Sequence, residues 1–185
     1  MKKIVALIVL LFSIQSYSQT YIKANAITAL VAIPNVAVET SIGEKLTLNV
    51  DLMASFWESF DGKSPMKFAT FTPEIRYHFN EKFNGLYFGG HIGGDIYKIQ
   101  KWNYWNTNKY EDGHGYRIGA TLGYQKKLNE KFMLDFFISG GWHQGFYKGF
   151  YNDGTPGRYE KAPHFNKSGE WLPYGGGVMI SYKLN

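Results

Sequence analysis

Ten ionisable residues stand inside otherwise apolar, alternating stretches of this chain: Glu39, Asp51, Glu74, Arg76, His78, His91, Asp95, Arg117, Asp135 and His143. Acids, guanidinium groups and imidazoles could serve general acid–base catalysis, hold a metal, or neutralise one another. Asp135, Ser139 and His143 are spaced by four residues and share one parity, which raises a nucleophile–base–acid reading. A nucleophile and its base need contact at about 3 Å, whereas four residues along a strand cover about 13 Å. These three therefore form no triad by themselves, and neither do His91 and Asp95. Only pairing across strands could assemble a dyad. No two histidines have H-x-x-x-H spacing, and His114 and His164 fall in polar loop segments, so no metal site and no cofactor are expected. Mutual neutralisation is the reading that remains, and Glu74 and Arg76, two apart on one face, are close enough to share a network.

What positions these side chains is a period of two, the mark of a β-strand. After Lys45, Leu46, Leu48, Val50, Leu52, Ala54 and Phe56 oppose Thr47, Asn49, Asp51, Met53 and Ser55. Ala69, Phe71, Ile75, Tyr77 and Phe79 oppose Thr70, Thr72, Glu74, Arg76 and His78. Similar alternation sets Leu86, Phe88, Ile92 and Ile96 against Tyr87, His91, Asp95 and Tyr97. It sets Ile118, Leu122 and Tyr124 against Arg117, Thr121 and Gln125, and Leu134, Phe136, Ile138 and Trp142 against Asp135, Ser139 and His143. Val36 and Val38 oppose Asn35 and Glu39, and the last segment places Leu172, Tyr174, Val178, Ile180 and Tyr182 together.

Strands of about 10 to 16 residues exceed the usual globular length and suit a tilted membrane-crossing strand. In a membrane barrel the apolar parity meets lipid and the charged parity lines the lumen; a soluble sandwich would do the reverse. The connections alternate in length. Short turns fall at 43–45, 80–84 and 128–131, long loops at 58–65, 100–114 and 148–169. "NEKF" occurs twice, at 80–83 and 129–132, and reads as a hairpin turn whose Phe enters the membrane interface. Seven strands are clear, and single-chain barrels have an even number. The eighth is expected at 21–31, closed by a turn near Ile33–Asn35. Pro73 cannot donate to a ladder, so a bulge or bend is expected there.

Bulk properties agree. The chain has 185 residues and suits one domain. Lys2 and Lys3, the apolar run 4–12 and small residues Ser16 and Ser18 predict a signal peptide over 1–18, leaving a domain of 19–185. No later segment is long and apolar enough for a transmembrane helix. Without cysteine there is no disulfide, lipid-bearing Cys or Cys–zinc site. The net charge of +5 falls to +3 once Lys2 and Lys3 leave, too mild to predict nucleic-acid binding. Tyr 14, Phe 14, Trp 5 and Gly 21 suit a curved, aromatic-rich sheet.

The segments "IPNVAVE" (33–39), "TPEIRYHF" (72–79), "KFNGLYFGGHIGG" (82–94) and "GATLGYQKKLNEKFMLDFFISGG" (119–141) resemble a family of small Gram-negative outer-membrane β-barrels catalogued as a domain of unknown function. The resemblance implies fold and outer-membrane location, makes Pro73 an ordinary feature, and implies no activity. The expected architecture is an all-β, eight-stranded antiparallel transmembrane β-barrel of up-and-down topology, with short periplasmic turns and longer extracellular loops. An eight-stranded barrel is only wide enough for its side chains, so the ten ionisable residues are expected to form a paired polar plug. Trp102, Tyr104, Trp105, Tyr116, Trp142, Phe146 and Trp171 read as an interfacial girdle. Phe150, Tyr151 and Phe165 lie deeper in the long loop, where they pack it upon itself or meet a partner. The expected function is that of a non-enzymatic structural or accessory barrel in contact with outer-membrane lipid and lipopolysaccharide, and a component of an envelope complex. The alternative is a lipid-A-modifying enzyme, and a passive pore ranks third.

Overall fold

A computed structural model describes residues 19–59, 64–101 and 107–185. The expected signal peptide, and Trp102, Tyr104 and Trp105 of the expected girdle, lie outside the described residues. The elements are β1 (Thr20–Asn25), α1 (Ala26–Ala29), β2 (Asn35–Ser41), β3 (Leu46–Trp57), β4 (Met66–His78), β5 (Gly85–Ile99), β6 (Lys109–Lys127), β7 (Phe132–Tyr151) and β8 (Asn166–Lys183). Each strand pairs antiparallel with the next in sequence, and β1 pairs with β8, so the eight close into a barrel. The closing seam is short, and β1 pairs only with Met179–Lys183 of β8.

The first strand is shorter than its expected span. It ends at Asn25, whose side chain accepts a hydrogen bond from Ile27 N at 3.1 Å and caps the single turn of α1. An asparagine cap competes with continued pairing, because it offers the next N–H an acceptor outside the ladder. The last three strands are longer than expected, at 19, 20 and 18 residues. The long connections accordingly shrink to 100–108 and 152–165, and the β6–β8 wall stands tall. In the last loop, Asp153 accepts from Thr155 N at 2.9 Å and Asn108 Nδ2 at 2.5 Å. Hydrogen bonds from Thr155, then Asn108, lower its carboxyl to about 2.

Pro73 carries no bulge. Val50 pairs with Pro73 in register on one side. On the other, pairing stops after Phe71↔Gly94 and resumes at Glu74↔His91 without a shift. One missing donor interrupts the ladder but does not require an extra residue. The register shift lies elsewhere, between Ser139↔Gly175 and Gly140↔Pro173. Tyr174 is the additional residue, and it reverses the parity of the first half of β8. Trp171 is 75 % exposed on the outer surface, while Leu172 and Tyr174, expected beside it in parity with Val178, line the interior.

The two "NEKF" turns also differ. Phe132 opens β7, faces outward and meets Tyr182 edge-on at 5.3 Å between ring centroids. Phe83 adopts a positive φ of 61°, a conformation uncommon for a bulky residue. Its ring turns into the barrel, fully buried. The expectation that both rings enter an interface therefore fails at Phe83. The remaining parity is regular: Val38, Leu52, Ile75, Phe88, Ile118, Leu122, Ile138 and Ile180 face outward and exposed, while Lys23, Glu39, Arg76 and Asp135 are buried.

Candidate functional site

The inward parity of all eight strands fills the barrel in layers. At the short-turn end Tyr21, Phe83 and Met133 form an apolar cork, with Tyr21 and Phe83 centroids 4.8 Å apart. His78 tilts against Phe83 at 6.1 Å. Among the described residues this is the one buried apolar cluster, and it separates the charged layer from the end of the barrel.

Above the cork lies an ion network drawn from four strands. Lys23 of β1 donates to Glu39 of β2 at 2.7 Å and also to Asp135 of β7. Arg76 of β4 donates through Nη1 to Glu39 at 3.0 Å and Asp135 at 2.8 Å, and through Nη2 to Glu74 at 3.0 Å. Neutral donors complete the carboxylates: Thr47 Oγ1 and Gln125 Nε2 to Glu39 at 2.6 and 2.8 Å, and Tyr87 OH to Asp135 at 2.9 Å. The Arg76 guanidinium carbon stands 4.5 Å from the Tyr87 ring centroid, an arrangement that favours a cation. His78, fully buried, shares a hydrogen bond of 3.1 Å with Thr47. Three carboxylates face two cations, almost wholly buried, and the low local dielectric makes each pairing count.

Glycines make room for this layer. A Cβ at Gly123 of β6 would overlap the Tyr87 ring, and one at Gly89 would overlap the Glu74 carboxylate. Gly123→Ala is expected to lower stability by about 1–3 kcal/mol, because the ring has no space to retreat. Gly90→Ala, whose Cβ meets nothing within 4 Å, is the matched control. Urea midpoints of both variants check this: equal midpoints would mean that the layer is loosely packed.

Two chambers lie toward the long-loop end. The lower, about 270 Å³, is lined by Asp51, Glu74, His91, Arg117 and Tyr174 among others. Asp51 accepts from Asn35 at 2.7 Å. His91 is engaged at both ring nitrogens, with Tyr174 OH at 2.7 Å and Thr121 Oγ1 at 3.2 Å. The upper, about 310 Å³, is lined by Asp95, Lys101, His143 and Glu170. Met53, Thr70, Arg117 and Tyr174 border both. Arg117 donates to Thr72 at 2.9 Å, lies 4.9 Å over the Tyr174 ring and stands 3.7 Å from Asp95.

Asp95 and His143 are brought together across strands at 3.1 Å. The other imidazole nitrogen, Nδ1, has no hydrogen-bond partner among the described residues, so none of their hydroxyls is set against this pair as a nucleophile. Ser139 borders the lower chamber instead. Asp135, Ser139 and His143 thus belong to three different levels. Among the described residues, no group of three His, Cys, Asp or Glu side chains is arranged for a metal ion.

Of the ten sequence-selected residues, Glu39, Glu74, Arg76 and Asp135 meet in one network, with His78 at its edge. Asp51 and His91 face the lower chamber, and Asp95, Arg117 and His143 cluster at the upper. Sequence reasoning missed Lys23, the second cation of the network, along with Thr47, Tyr87 and Gln125. It also missed Lys101, which pairs with Glu111 at 3.2 Å and Glu170 at 2.5 Å near the mouth. Lys23 was legible, with Asn25, as the polar parity of a strand of otherwise small residues; Lys101 and Glu111 were hidden in a segment read as loop, and Glu170 stood just past the end of another.

Residues 4–184 match the family described as "Protein of unknown function (DUF3575)". The chain belongs to the DUF3575 family. No curated protein and no solved structure matches it. The family description assigns no chemistry, so a function for this member rests on its own geometry.

Proposed function

We propose that this DUF3575 protein is a transmembrane β-barrel of the Gram-negative outer membrane with a plugged lumen, acting as a non-enzymatic structural or accessory component of an envelope complex. One observation carries the reading: the barrel is inverted, with large apolar side chains exposed around its outside and paired charges buried within. Burying charge while exposing isoleucine, leucine and phenylalanine is unfavourable in water and favourable in a bilayer. Aromatics border the apolar band at both ends, with Tyr77, Phe79, Tyr124 and Tyr182 toward the short turns and Phe56, Trp57, Tyr116 and Trp171 toward the long loops, as two interfacial girdles would. The even strand number and the asymmetry of turn lengths support the same reading, with short turns on the periplasmic side.

The cork and ion network span the lumen, so the barrel holds no continuous water path. Purified protein in planar bilayers is expected to give no stable conductance while showing the folded, heat-modifiable mobility of an inserted barrel. A folded chain that stays dispersed in water without detergent or lipid would sink the membrane reading, and steady single-channel steps would sink the plug. A lipid-A-modifying role is the alternative, and mass spectrometry of lipid A from a deletion strain separates it: an altered acyl pattern, restored by the intact gene, would replace the non-enzymatic reading.

A further inference from the structure

The outer surface of the β3–β6 wall carries a groove of about 490 Å³. Phe56, Ala69 and Ile96 give it apolar lining, and Lys67 and Lys98, with Glu58 and Asp112 beside them, stand at its long-loop side. Those two lysines are directly opposed across the β4–β5 ladder. Directly opposed residues have Cα atoms about 4.5–5.5 Å apart, and like charges so placed repel. The chain offsets this only in part. Lys67 pairs with Glu58, whose carboxylate is 83 % exposed. Lys98 lies 5.0 Å over the Tyr110 ring and opposite Asp112. The row continues outward with Lys148, opposite Asp112, and Lys167, opposite Phe146. Among the described residues, four lysines against Glu58 and Asp112 leave a band of positive charge directly above the apolar wall.

An ammonium band over an apolar groove matches a ligand that is anionic at its head and greasy below. We propose that this groove seats a phosphorylated membrane lipid, with its phosphate between Lys67 and Lys98 and an acyl chain along Phe56, Ala69 and Ile96. This rests on the membrane reading above and adds a defined lipid site to it. A phosphomonoester, with a charge of about −1.5 to −2 at neutral pH, matches the surplus of the four-lysine band over Glu58 and Asp112 more closely than a singly charged phosphodiester does. Lysine binds such a group as a point charge and needs no planar fork geometry.

The full chain, folded in neutral detergent, is titrated with diphosphorylated lipid A as the probe, and retained lipid is read by native mass spectrometry. The double variant K67Q/K98Q is expected to retain it about tenfold more weakly, a loss of two charge contacts. Lys126→Gln, at the opposite end of the barrel, is expected to change nothing, and dephosphorylated lipid A should bind the intact chain as weakly as the probe binds K67Q/K98Q. Equal retention by K67Q/K98Q and the intact chain overturns the site, as does displacement of the lipid by millimolar inorganic phosphate, which would mean that the acyl chains contribute nothing. A chain that inserts into vesicles yet retains lipid A independently of Lys67 and Lys98 overturns this proposal alone. A chain that folds only in water overturns both it and the membrane reading.

Discussion

Arg76→Met is expected to destabilise the folded barrel by about 3–5 kcal/mol, the range for removing one partner of a buried ionic network. Arg76 touches Glu39, Glu74 and Asp135, and all four side chains are almost wholly buried. Its loss leaves Lys23 alone against three carboxylates. Methionine fills much of the volume, so the cost is electrostatic and not a cavity. A partner change isolates that cause. Adding Glu74→Gln removes the carboxylate that Lys23 does not reach, so R76M/E74Q should recover part of the loss. Urea titration of the full chain in lipid vesicles reads both effects. Salt should alter neither, since ions do not enter the corked layer to screen it. An unchanged midpoint for Arg76→Met would mean that the lumen is wet and that the network contributes no cohesion.

The alternation that places Arg76 inside is visible in the sequence because each strand is two-faced and the two faces differ in chemistry. A period of two needs no tertiary information, so the strands from Asn35 onward and their antiparallel order were readable. The failures share a physical origin. Parity can be carried along a strand only until a residue is inserted, and nothing in "WLPYGGG" marks where the insertion falls. Pro73 suggested irregularity, yet the ladder absorbed it as a single missing donor, and the shift falls beside Pro173 instead. Tyr174 consequently crossed from the expected outer face to His91.

Repetition misled for a similar reason. The two "NEKF" turns are identical as strings, but Phe83 still lies in the turn, with Asn84 bridging back to Glu81 before β5 begins at Gly85, whereas Phe132 is already the first residue of β7. One ring became the cork and the other an outer-face aromatic. The network was half legible. Inward charges announced themselves, but register decides which of them meet, and register is a relation between strands that no single segment contains. Lys23 pairs with Asp135 only because the ring closes β1 onto β8, beside β7.

Ile118→Arg is expected to cost about 2–4 kcal/mol in a bilayer, the penalty for arginine on the outer wall near the midplane. On β6, Tyr116 and Tyr124 bracket Ile118, Ala120 and Leu122, so the centre of the apolar band falls at Ala120 and Ile118 lies next to it on the same face. Ile118 is 56 % exposed and opposes Ile92 and Trp142 on the neighbouring strands. The environment alone sets the sign. In water, an arginine at so exposed a site stays within about ±0.5 kcal/mol of the parent, and replacing a bare isoleucine would improve solubility. Against acyl chains, the guanidinium must reach past Tyr116 to find water or hold a defect in the bilayer. Folding yield and urea midpoint in vesicles therefore test the inversion on which the membrane reading depends. A penalty that grows as the substitution moves from Tyr116 toward Ala120 is the signature of depth, and a flat, negligible series would place this wall in water.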